Sequence, residues 1–180
     1  MRSPEDKRPS HFVAYVALMT AVAAVLGYLE MLIPLNMFGI PGVKAGLANV
    51  VSLAALYYFG PLYAVCIMVS RVVIVGFMFG NMYSIIYGLA GGFLSLFVIT
   101  LLKKTGLFTM TGVSAAGGVF HNMGQLIIAL ITLKGINLLY YMPVLIISGT
   151  VCGCLMGILS SMVSERLFGG RNDRFFEGKA

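Results

Sequence analysis

Arg71 sits near the middle of an apolar run that extends from about Leu62 to Phe79. An ionised side chain in lipid is costly, so a guanidinium at that depth must face a cavity, a polar partner or a bound anion. Glu30 is the one carboxylate close to the apolar runs on the side of Lys44, and it is placed to pair with Lys44 or Arg71. A buried or interfacial ion pair accounts for these residues as well as a ligand site does. Lys44 and Asn49 belong to Gly39–Asn49, a Gly/Pro loop that leads into a helix start made of small residues. Open amides at a helix N-terminus beside an ammonium suit an anion. The plainer reading makes Lys44 an interfacial anchor, and Asn49 lies slightly off its face.

A later run carries His121, Asn122 and Gln125 within about one turn. His121 and Gln125 are four residues apart and share a helix face. Interhelical hydrogen bonds would explain the trio; contact with a polar ligand is the sharper reading. Asn81, Tyr83, Ser84 and Tyr87 are further candidates for an outward-facing pocket, while Tyr140 and Tyr141 read as interfacial aromatics. The only aspartates are Asp6 and Asp173, both in terminal segments, so paired Asp-rich motifs for a magnesium diphosphate are excluded. No P-loop, nucleophile elbow or C-x-x-C motif occurs. The chain is therefore read as a non-enzyme, without a cofactor and unable to hydrolyse ATP itself. Cys66, Cys152 and Cys154 lie in apolar runs, and Cys152 and Cys154 point to different sides of a helix. They read as small apolar residues rather than a disulfide or metal site.

The elements that hold these residues follow from composition. Of the 180 residues, 59% are hydrophobic and 10% charged. A soluble chain carries about 25% charged residues, so water is not the main solvent here. The net charge of +6 flanks apolar runs instead of striping a face, which argues against nucleic acid as a partner. Six runs are separated by Gly/Pro or Lys punctuation. They lie at about His11–Ile33, Ala45–Phe59, Leu62–Phe79, Tyr83–Leu102, Gly112–Leu133 and Leu139–Val163. The first is too long for a signal-peptide core. The second is short against the ~20 residues of a membrane span.

This gives three segments: a cytoplasmic lead over 1–10, a transmembrane domain over 11–165 and a polar cytoplasmic tail over 166–180. The expected fold is all-α, a compact bundle of six transmembrane helices in the cytoplasmic membrane. Six crossings put nine Lys and Arg residues on the side of the termini and two, Lys44 and Lys134, on the other. By the positive-inside rule, both termini are cytoplasmic. The Gly60-Pro61 junction is the weak point, since no charge in it fixes its side. Small residues recur at Ala17/Ala21, Gly88/Gly92 and Gly149/Gly153/Gly157, a spacing that lets helices pack closely in lipid. Contact within the bundle is the simpler reading and a partner subunit the sharper one.

The run Gly42-Val43-Lys44-Ala45-Gly46-Leu47-Ala48-Asn49, the later Arg71, and Gly118-Val119-Phe120-His121-Asn122-Met123-Gly124-Gln125 resemble the Gx transporter family. That family is also labelled heptaprenyl diphosphate synthase component I. The resemblance covers about residues 11–165. The family is similar to the substrate-binding S components of energy-coupling-factor transporters, six-helix proteins that dock on a transmembrane T subunit with two cytoplasmic ATPases. The resemblance implies that Ala17 and Ala21 contact such a T subunit, and that the loop Pro34–Val43 gates a ligand site. It makes Lys44, Asn49, Arg71, His121, Asn122 and Gln125 candidate ligand contacts, with Glu30 added from its position.

The leading expectation is a substrate-binding membrane component of a small-molecule transporter. Its ligand would be a small, partly anionic metabolite such as a vitamin or an isoprenoid- or quinone-related compound. Two rival readings stand beside it. One is a non-catalytic accessory subunit of heptaprenyl diphosphate synthesis. The other is a membrane subunit of a quinone- or flavin-linked redox complex.

Overall fold

A computed structural model describes residues 7–32, 46–132 and 138–168. The expected loop Pro34–Val43, Lys44 and Lys134 lie outside the described residues. Six α-helices form: α1 (Lys7–Leu32), α2 (Leu47–Tyr58), α3 (Pro61–Phe79), α4 (Met82–Thr105), α5 (Met110–Thr132) and α6 (Met142–Phe168). A short 3-10 turn, Leu138–Tyr141, precedes α6. No strand occurs among the described residues.

The punctuation acts as local chemistry requires. Gly60 takes φ 100°, closed to most side chains, and Pro61 follows at the first position of α3, where its missing N–H costs nothing. Asn81 caps α4 by accepting the Ser84 N–H at 2.8 Å. Gly106 ends the same helix at φ 66°. Several ends differ from the apolar runs. α1 begins at Lys7, inside the polar lead, because Pro9 falls in its first turn, where proline is tolerated. α4 continues through Lys103 and Lys104 to Thr105, since cations suit a helix C-terminus. α6 runs past Val163 to Phe168.

Five helical segments are long and apolar enough to cross a membrane: His11–Glu30, Pro61–Phe79, Met82–Thr105, Met110–Thr132 and Leu139–Val163. Their outer faces expose Phe77, Phe97, Ile131 and Ile147. So much exposed apolar area calls for a lipid solvent, and the chain is a multi-pass helical membrane protein. α2 is the exception. Its 12 residues span ~18 Å, short of the ~30 Å hydrocarbon core. It is also the best-buried helix, with Ala48, Val50, Val51, Leu53, Ala55 and Leu56 all inside. Leu53 and Leu56 pack with Met68, Val72, Leu96 and Val113, while Val51 and Ala55 meet Ala23 of α1 and Ile67 of α3. Neighbouring helices shield α2, so it need not match the lipid thickness.

Ring contacts fix the helix directions. Phe12 of α1 meets Tyr63 of α3 at 4.5 Å, and Tyr15 meets Phe59 at 5.3 Å. At the opposite end Tyr28 meets Phe79 at 4.7 Å. α1 and α3 therefore run parallel, with α2 returning between them. Lys103 of α4 donates from Nζ to the carbonyls of Leu56 and Tyr57 at 2.7 and 3.4 Å, and lies 4.8 Å from the Tyr57 ring centre. The last turn of α2 has carbonyls without intrahelical partners, and this ammonium satisfies two of them. The ends of α2 and α4 thus share one side of the bundle.

Candidate functional site

All six helices contribute to a cavity of about 80 Å³ inside the bundle. Its polar wall comes from Glu30, Asn49, Ser52, Arg71, Ser95, Ser114, His121, Asn122 and Cys152. Met68, Leu53, Leu96, Ile99 and Met156 supply apolar surface. Backbone completes the wall at Gly92, Gly117, Gly118, Gly149 and Gly153.

Arg71 reaches from the middle of α3. Its Nη2 donates to Asn49 Oδ1 at 3.0 Å, a bond between α3 and α2. Its Nε is buried without a hydrogen-bond partner. Ser52 lies one turn beyond Asn49 on the same face of α2, and its Oγ is buried and unpartnered too. Buried polar groups are nearly always paired, so two unsatisfied ones lining one cavity mark a place for a polar guest. Glu30, near the end of α1, accepts the backbone N–H of Gly46 on Oε1 at 2.5 Å. Gly46 sits just before α2 at φ 78°. The chain's own carboxylate thus engages an amide at the N-terminus of α2, where the sequence pattern left room for an external anion. Glu30 and Arg71 line the same cavity, yet no direct ion pair joins them among the described residues.

On α5, His121 Nε2 and Gln125 Nε2 approach to 3.2 Å, as their four-residue spacing requires. His121 lines the cavity and Gln125 does not. Asn122 turns to α6, donating to Leu145 O at 2.8 Å and to Ser148 Oγ at 3.4 Å. Among the expected ligand contacts, Glu30, Asn49, Arg71, His121 and Asn122 come together around the cavity, with Gln125 behind His121. Lys44 lies outside the described residues. Asn81, Tyr83, Ser84 and Tyr87 are not part of the wall; Asn81 is occupied as a helix cap and Tyr83 is exposed.

The small-residue stripes divide in two. Gly149, Gly153 and Gly157 press on α5: a Cβ on Gly153 would meet Ser114 O at 2.6 Å, and one on Gly157 would meet Thr111 Cα at 2.7 Å. Gly88 and Gly92 face Val72 and Met68 of α3. These stripes serve contact within the bundle. Ala17 and Ala21 remain exposed on α1. Sequence reasoning missed Ser52, Ser95, Ser114 and Cys152 as wall residues. Each is a small side chain in a mostly apolar helix, and only its neighbours reveal which way it faces.

These features define a polytopic helical membrane protein with a polar cavity lined by all six helices. The chain belongs to the heptaprenyl diphosphate synthase component I family, whose model matches residues 19–163. No curated protein and no solved structure matches it.

Proposed function

We propose that this chain is the substrate-binding membrane component of a small-molecule transporter, similar in kind to the S components of energy-coupling-factor systems. The observation that carries the reading is the Arg71 guanidinium, which lines a mid-bundle cavity with its Nε buried and unpartnered beside the equally unpartnered Ser52. A buried donor left unsatisfied costs about 1–3 kcal/mol, and a bound acceptor would remove that cost. In this reading the bundle crosses the cytoplasmic membrane six times, with both termini in the cytoplasm. The Lys103 contact supports it, because it joins the Gly60-Pro61 end of α2 to a basic helix end that the positive-inside rule assigns to the cytoplasm.

The test is native mass spectrometry of the detergent-purified protein, followed by binding measurements on the compound it carries. Arg71→Ala should weaken Kd by about tenfold or more, since hydrogen bonds to charged groups are worth about 1.5–3 kcal/mol. Unchanged affinity in a normally inserted Arg71→Ala protein would remove Arg71 from the site.

The family's description favours a second reading, an accessory role in heptaprenyl diphosphate synthesis. The chemistry of the wall favours a non-catalytic form of that role. Among the described residues Glu30 is the single carboxylate on the cavity wall, and diphosphate chemistry on magnesium needs a cluster of acidic ligands. A prenyl synthase that stays bound through washing, to a protein with no small molecule, would favour the accessory role.

A further inference from the structure

We infer that the cavity selects an amphoteric ligand, one that carries an acidic group and a protonated amine on a compact skeleton, rather than a simple anion. The inference rests on the binding-component reading and adds the class of substrate. The wall holds two formal charges among the described residues, Arg71 and Glu30, of opposite sign. They attract each other across the cavity but make no direct ion pair among the described residues: the Arg71 bond goes to Asn49 and the Glu30 bond to the Gly46 N–H. A simple anion placed against Arg71 would leave the Glu30 carboxylate facing a like charge across a low-dielectric space, where such a pair is strongly disfavoured. A simple cation meets the mirror problem at Arg71. A molecule with both groups satisfies both walls and brings no net charge into the membrane interior.

The acceptor end lies at Arg71 and Ser52, two wall residues that each carry a buried atom without a partner, Nε and Oγ. The donor end is defined by Glu30. Its Oε1 takes the Gly46 N–H, and its Oε2 makes no hydrogen bond among the described residues. The size agrees with a compact molecule. A water needs ~10–15 Å³ by this measure, so about 80 Å³ holds the bulk of several waters.

The test uses compound triplets on a shared skeleton: an amino acid, the parent acid without the amine, and the parent amine without the acid. Chain length is graded across the triplets. Binding is read by thermal stabilisation of the intact detergent-solubilised protein, and native mass spectrometry tests phosphatidylethanolamine, the lipid that carries the same pair of groups. Wild type should bind the amphoteric member at least about tenfold more tightly than either parent. Glu30→Gln keeps an oxygen for the Gly46 N–H and should shift preference toward the parent acid. Arg71→Gln keeps a donor for Asn49 and should shift it toward the parent amine. Reciprocal shifts cannot come from a loss of folding, which would weaken every member together.

If the parent acid binds wild type as well as the amino acid does, and depends on Arg71 but not Glu30, this inference falls while the binding-component reading stands. If no triplet member and no lipid binds, both fall. If only phosphatidylethanolamine binds, and needs both charged residues, the amphoteric chemistry holds and the soluble substrate is replaced by a lipid headgroup.

Discussion

Replacing Gly153 by alanine adds one methyl group at the seam of α5 and α6. On the present backbone that carbon would lie 2.6 Å from Ser114 O and 2.8 Å from Ala115 Cα. Comfortable distances are about 3.3 Å for carbon to oxygen and about 3.5 Å for carbon to carbon. Both shortfalls amount to about 0.7 Å, and both neighbours are main chain, so no rotamer change relieves them. The helices must part. A gap of that size forfeits roughly a quarter to a half of the dispersion energy of each contact along the seam. It would also stretch the Asn122–Leu145 bond, now 2.8 Å, to about 3.5 Å, beyond useful range.

Overpacking of this kind costs about 1–3 kcal/mol and the hydrogen bond about 1 kcal/mol. Gly112→Ala, in the same α5, is the internal control. Its Cβ would meet only ordinary contacts, the nearest at 3.6 Å. Alanine gains up to about 1 kcal/mol over glycine as a helix former in either variant. The expected difference between the variants is therefore about 2–4 kcal/mol, read by denaturant unfolding in mixed micelles, with Gly153→Ala the less stable. Equal stabilities would mean that α5 and α6 do not approach as described.

Three other outcomes follow from contacts already given, together with the Arg71→Ala result above. Asn81→Ala should cost about 1 kcal/mol through the lost cap and leave ligand affinity unchanged, as micelle unfolding and binding on the same sample would show. Lys103→Ala should lower stability by about 1–3 kcal/mol because two helix-end carbonyls lose their donor, whereas exposed Lys104→Ala should stay within about 0.5 kcal/mol; differential unfolding separates the pair. On the transporter reading, exposed Ala17 is available to a partner subunit, so Ala17→Trp should leave ligand affinity intact and abolish co-purification of such a subunit; an unchanged complex would remove this face of α1 from the proposed interface.

The helices were legible because their ends are written in local chemistry. Pro61 after Gly60, Asn81 before Met82 and Gly106 after Thr105 each act within a turn or so of themselves. The His121–Gln125 approach was legible for the same reason, since four residues return to one face. The rest of the site depends on which helices become neighbours. Arg71 finds Asn49 across two helices, Lys103 reaches back to Leu56, and Glu30 takes the amide of Gly46. No spacing rule connects those positions, because bundle packing sets the distances. The glycine stripe on α6 announced a close contact but not its partner, α5. The second run is short for a span, and α2 is correspondingly buried under its neighbours.

The glycines on the cavity wall carry a consequence for how this scaffold can change. Where the seam of α5 and α6 bounds the site, part of the surface offered to a guest is main chain at Gly118, Gly149 and Gly153. Main chain has the same chemistry whatever residue a codon specifies, and a larger side chain there would part the helices before it touched a guest. That seam behaves as a fixed mould. New selectivity has to enter through the wall's side chains, at Glu30, Asn49, Ser52 and Arg71 on α1, α2 and α3 and at His121 and Asn122 on α5. A library aimed at new guests should randomise those positions and leave the glycines alone.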